Sequence, residues 1–168
     1  EDLEGGMLRA DLTDYGQAIE ALQGAEARRP AGTGSDHALE ALRGADAVVH
    51  LANIPAPEIA TPAVTFTANV TMNFNVFMAA ARLGVSRVVW ASSETTLGLP
   101  FEVPPRYAPV DEDHYPFPTT TYALSKVVSE TIAGHIAQWS GISFIALRFS
   151  NIMAPTDYQH LPSVWADA

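Results

Sequence analysis

The single lysine of this chain, Lys126, follows Tyr122 by four residues in the run Thr121-Tyr122-Ala123-Leu124-Ser125-Lys126. On a helix this spacing puts the phenol and the ammonium on one face, one turn apart. A fixed cation beside a phenol favours the phenolate, so this tyrosine can exchange a proton closer to neutral pH than its usual pKa of about 10 allows. That chemistry requires a helix to hold the pair and neighbouring elements to bring a substrate against it.

The sequence around the pair supplies those elements. Thr119 to Thr121 can cap a helix running to about Trp139 and closed by Gly141. Residues 142–149 read as a strand beyond it. Upstream, residues 47–52 form a continuous apolar run, a buried strand broken by Pro55 and Pro57. Thr61-Pro62 opens a long helix through Phe66, Phe74 and Phe77 to Arg82, stopped by Gly84. Residues 87–91 give the next strand. Residues 99–118 are rich in proline and too long for a plain connector, as functional or disordered loops are. Near the start, residues 7–10 read as a short strand, and Thr13 or Asp14 caps a helix through Leu22, ended by Gly24. Residues 19–27 then recur at 39–47 across a breaker-rich loop, which reads as a local duplication or as one helix plus an insertion. Alternating strands and helices predict an α/β fold with a parallel sheet and helices on its faces.

Composition narrows the function. The 168 residues fit one domain, and 48% are hydrophobic, enough for a packed core. Nine basic against nineteen acidic residues give a net charge of −10, which argues against nucleic acid and against an anionic membrane surface. There is no cysteine, hence no disulfide or thiolate chemistry, and the five histidines form no close ligand pair, so no metal is expected. No apolar run is long enough to span a membrane, and a cytoplasmic location is the default expectation.

Six segments in order carry a resemblance. They are Asp11-Leu12-Thr13-Asp14 after a strand, His50-Leu51-Ala52-Asn53 at a strand end, and Asn69-Val70 in the long helix. Ala91-Ser92-Ser93-Glu94-Thr95-Thr96-Leu97-Gly98, Tyr122-x-x-x-Lys126 and Arg148-Phe149-Ser150-Asn151 complete the set. The chain resembles the extended short-chain dehydrogenase/reductases, the NAD-dependent epimerase/dehydratase group, over nearly its whole length. The resemblance implies a Rossmann-like domain binding NAD or NADP, with a small-molecule substrate: a secondary alcohol or ketone of a sugar, uronate or nucleotide-sugar. It makes Ser93, Tyr122 and Lys126 the catalytic set. Ser93 would bond the substrate oxygen, Tyr122 would move the proton, and Lys126 would lower the tyrosine pKa and hold the nicotinamide ribose. Ser92 is the structural neighbour, although the two serines can exchange roles.

The other implied contacts each have a plainer alternative. Asp11 and Leu12 match the adenine contact, and Asp11 reads equally as a helix cap. Leu51, Ala52 and Asn53 would line the cofactor at a strand's carboxyl end, where open α/β sheets bind ligands. Asn69 would bond near the active site or serve as a buried helix asparagine. Asn151 would touch substrate or sit in a turn. Family members often dimerise through the two long helices, here residues 61–83 and 121–139, so a homodimer is a further implication.

The family's glycine-rich turn after a first strand is not found in this sequence, nor is the second strand that reads the ribose. The resemblance therefore places residue 1 near the third strand, and residue 168 soon after the sixth, short of the substrate-binding lobe. The Rossmann-like sheet is then expected to be incomplete, with the first two strands missing. Residues 7–11 are expected either to move against the exposed edge of the 47–52 strand or to be poorly ordered. A second reading follows: a catalytically inert member, or a cofactor-free interaction domain.

Overall fold

The computed structural model describes residues 9–23, 45–152, 154 and 156. Within them, helix α1 (Tyr15–Gln23) precedes strand β1 (Ala47–His50), helix α2 (Pro62–Leu83) and strand β2 (Arg87–Ser93). A 3₁₀ turn (Glu94–Leu97), helix α3 (Thr121–Ser140) and strand β3 (Ser143–Phe149) follow. The strands form one parallel sheet in the order β1-β2-β3, with Ala47 opposite Arg87 and Arg87 opposite Ser143. Parallel neighbours require a crossover, and α2 and α3 are those crossovers.

The caps lie where the sequence places them. Thr61 Oγ1 accepts from Val64 N (3.4 Å) with Pro62 in the first turn, and Thr120 Oγ1 accepts from Ala123 N (3.0 Å). Gly84 and Gly141 close the two long helices. For α1 the cap is Asp14, whose Oδ1 accepts from Gln17 N at 2.9 Å.

Both long helices pack on one face of the sheet. Val88, Trp90 and Ser92 point into that face and are buried, whereas the alternate residues Arg87, Val89 and Ala91 are exposed or half-buried. Phe77 of α2 is the centre of the apolar core. Its ring meets Trp90 edge-on at 5.3 Å and Phe144 at 5.1 Å, and Val76, Ala80, Val85, Ala133, Ile136 and Ile142 close around it. On the other face Val49, Ile145 and Leu147 are exposed among the described residues.

The amino-terminal expectation needs correction. Arg9 and Ala10 belong to no strand, and Arg9–Asp11 do not pair with β1; Met7 and Leu8 lie outside the described residues. The outer edge of β1 is left unpaired among the described residues, and the chain is held instead by α2: Asn75 Nδ2 donates to Leu12 O (2.9 Å) and Thr13 O (3.0 Å). Most of the repeat at 19–27 and 39–47 also lies outside the described residues. Ala45 N donates to Leu22 O at 2.9 Å, so the chain on either side of residues 24–44 meets at one point.

Candidate active site

The site forms at the carboxyl ends of β2 and β3. β2 ends in Ser93, which caps the following turn: its Oγ accepts from Thr95 N (3.2 Å) and Thr95 Oγ1 (2.9 Å). A hydroxyl has two acceptor positions and one donor. Both acceptor positions are filled, so Ser93 has only its hydrogen to offer. The Tyr122 phenol lies near enough for this hydroxyl to lower its pKa.

The 99–118 loop makes this meeting possible. It returns so that Phe117 N donates to Thr96 O at 2.8 Å, laying the segment before α3 on the turn after Ser93. Gly98 sits under that contact at φ 93°, and a Cβ there would lie 3.0 Å from Phe117 O, so a glycine is required. Within the loop, Arg106 lies over the Tyr115 ring and its N–H donates to His114 Nε2 (3.2 Å). Tyr107 donates to Asp111 at 2.5 Å, a bond that holds its phenol up at about 12.

Lys126 is 1% exposed. Its Nζ donates to Ala91 O (2.7 Å), one residue past the point where β1 stops pairing, and lies 5.5 Å from the Tyr122 ring centroid. Burial lowers the Lys126 pKa to about 8. Burial also raises the Tyr122 pKa, opposed by the Ser93 hydrogen bond. This corrects the electrostatic expectation from the Tyr-x-x-x-Lys spacing. The lysine is beside the phenol, but desolvation outweighs any stabilisation of the phenolate, and the group that pulls the phenol down is Ser93.

Around this pair opens a cleft of about 450 Å³, lined by residues 55–57, 91–95, Tyr122 and 149–152. Asn151 lines it, as do both serines. Ser92 faces away from the chemistry: its Oγ donates to Glu130 Oε1 at 2.5 Å. Arg148 clasps the same carboxylate through Nε (3.0 Å) and Nη2 (2.8 Å). This pair joins β2, α3 and β3 directly behind Ser93 and holds the Arg148 pKa above its usual value.

The remaining sequence candidates lie outside the cleft. Asp11 Oδ1 accepts from Thr13 N (2.9 Å) and Thr13 Oγ1 (2.7 Å), which lowers its pKa, and Leu12 packs against the core. Leu51 and Ala52 are exposed beyond β1. Asn69 is fully buried and grips the loop after β1, accepting from Ile54 N (2.8 Å) and donating to Ile54 O (3.1 Å).

Asn69 belongs to a buried ladder that the sequence reading missed. Asn73, one turn on, donates to Ser129 Oγ (2.8 Å) and accepts from Asn53 Nδ2 (3.0 Å). Its Oδ1 also meets His50 Nε2 at 2.8 Å, a bond in which the ring must be the donor. Asn53 Nδ2 also contacts Ala52 O. Asn69 contacts Ser125 Oγ at 3.4 Å, and Ser125 and Ser129 bond back to their own helix. The signal was available: two asparagines four apart on one helix and two serines four apart on the other.

The nicotinamide end of a dinucleotide fits these residues. An ammonium carries three donors, and the Ala91 carbonyl takes one, so Lys126 retains donors for ribose hydroxyls beside Tyr122. The pyrophosphate end has no such match, since no strand–glycine turn–helix run occurs in the sequence.

A parallel sheet with helical crossovers, carrying a serine at a strand end and a tyrosine and a lysine on the helix that follows, defines an α/β protein of Rossmann type. The sequence profile of the NAD dependent epimerase/dehydratase family matches residues 12–166, and the chain belongs to that family. It is 29% identical over 137 residues to the NAD-dependent glucose-6-phosphate dehydrogenase of Haloferax volcanii, covering 74% of this chain and 52% of that enzyme. The structure resembles a UDP-galactose 4-epimerase (29% identity, TM-score 0.62), covering 87% of this chain and 41% of the other. It shares its fold with the Thermus thermophilus UDP-glucose 4-epimerase in complex with NAD (23% identity, TM-score 0.66), covering 88% and 41%. The chain thus spans about half the length of the Haloferax enzyme and less of the epimerases. No described helix is long and apolar enough to cross a membrane.

Proposed function

We propose that this chain supplies the proton-moving groups of a nicotinamide-dependent oxidoreductase or epimerase acting on a secondary alcohol, or its ketone, of a sugar or nucleotide-linked sugar. The observation that carries the reading is that Ser93, its acceptor positions taken by Thr95, lines one strand-end cleft with Tyr122. Bound NAD would supply the acceptor or donor of the hydride. In the reducing direction Tyr122 Oη gives its proton to the substrate oxygen while Ser93 donates a hydrogen bond to that oxygen. In the oxidising direction Tyr122 takes the proton back. Lys126 orients the ribose, and Ser93 is the group that lowers the phenol's pKa.

Pairing of two copies through the outer sides of α2 and α3 belongs to the same reading. Exposed Val64, Phe74 and Leu124 on those helices support it.

The test is a fluorescence titration of the chain with NADH, followed by NAD reduction in the presence of sugars. Tyr122→Phe should bind NADH as the wild type does and lose about 10²-fold or more of turnover. A variant that keeps most of its rate would end the mechanism. A wild-type chain that fails to bind NADH would favour the cofactor-free reading.

A further inference from the structure

Among the described residues, the cleft above holds one charged side chain, Glu94. It follows Ser93 directly, opens the 3₁₀ turn and is half-buried. The polar groups around it are engaged: Ser93 with Thr95, Ser92 with Glu130, Lys126 with Ala91 O. The Glu94 carboxylate has no hydrogen-bond or ion-pair partner among the described residues. It is not needed to cap the turn, because the Ser93 hydroxyl already takes the Thr95 N–H. Among the described residues, no lysine, arginine or histidine lines the cleft to balance it.

A carboxylate accepts hydrogen bonds and donates none. Next to a substrate oxygen held by Ser93 and Tyr122, it matches a neighbouring hydroxyl and repels a neighbouring anion. We infer that Glu94 is a specificity-determining residue: it accepts from a hydroxyl flanking the reacting carbinol and excludes substrates with a carboxylate or phosphate at that position. This narrows the substrate class to rings that are neutral beside the reacting carbinol and removes uronates that react next to their carboxylate, at C4. A charged group farther along the substrate, such as the diphosphate of a nucleotide-sugar, is unaffected.

The inference rests on the proposed function, and its test separates the two. Ligand-observed NMR would compare D-galactose with D-galacturonate binding to the chain, with and without NADH, for wild type and Glu94→Gln. The wild type should favour galactose by about tenfold or more, and Glu94→Gln should bring the two sugars within about threefold, mainly by gaining galacturonate. Galacturonate binding to the wild type as tightly as galactose, or a preference that Glu94→Gln leaves intact, overturns the role of Glu94 while leaving NADH binding and the proposed function untouched. The same preference on a chain that does not bind NADH would support the inference and contradict the oxidoreductase reading. Binding of neither sugar overturns the inference.

Discussion

The seam between α2 and α3 is built in two different ways along its length. Toward the amino ends of the strands it is apolar: Phe77, Ala80, Val85, Ala133, Ile136 and Ile142 meet with no hydrogen bond among their side chains. Toward the carboxyl ends it is a ladder of Asn69, Asn73, Ser125 and Ser129, joined to His50, Asn53 and the backbone of Ile54. Burying amides where leucines would pack tolerates little error in geometry, since each unmatched polar atom costs about 1–3 kcal/mol. Here the ladder is matched, and the one buried side-chain polar atom without a partner among the described residues is Trp90 Nε1, in the apolar half. The apolar half therefore supplies cohesion. The polar half supplies direction: it fixes α3, and with it Tyr122 and Lys126, against the loop that follows β1.

Two substitutions separate these roles. Ile136→Ala should lower stability by about 2–5 kcal/mol through lost burial and the cavity left behind, while the folded fraction binds NADH normally. Asn73→Ala should cost less, about 1–3 kcal/mol for the polar groups it strands, yet weaken NADH binding in the molecules that remain folded. Denaturant melts paired with NADH titrations check both. Equal effects on binding from the two variants would erase the distinction.

A smaller effect reports on the buried lysine. Its pKa is lowered to about 8 from an unfolded value near 10.5. Between those values the unfolded chain binds the extra proton, so stability should rise as pH goes from 8 to 10, by at most a few kcal/mol at ~1.4 per unit. Lys126→Met should abolish that rise. The Tyr122 shift has the opposite sign and acts only above about pH 10, where the unfolded chain loses the phenol proton first.

Much of this molecule was legible beforehand. The caps at Thr61 and Thr120, the apolar runs of β1 and β2 and the Tyr122–Lys126 spacing are local features, and local rules recovered them to within one or two residues, apart from the carboxyl ends of β1 and β2. Ser93 and Tyr122 were paired through the family resemblance, and both line one cleft. What escaped depends on tertiary context. Asn73 and Ser129 are 56 residues apart, and nothing in either helix alone says that they meet. The sign of the tyrosine shift escaped for the same reason. Sequence spacing gives the distance to a cation, whereas desolvation is set by everything else packed around the phenol. Asp11 was read as an adenine contact or a helix cap; Asp14 is the cap, and the described bonds of the Asp11 carboxylate are to Thr13 in its own turn.

The account depends on the Ser93 hydroxyl acting on the Tyr122 phenol within one cleft. Carbon-13 labelling of tyrosine, with NMR titration of the Tyr122 phenol in the wild type and in Ser93→Ala, measures this directly. Tyr122 should titrate above 10 in the wild type, and Ser93→Ala should move it higher still. A phenol that titrates below 10, or one that does not respond to the loss of the Ser93 hydroxyl, would contradict the arrangement proposed for the site.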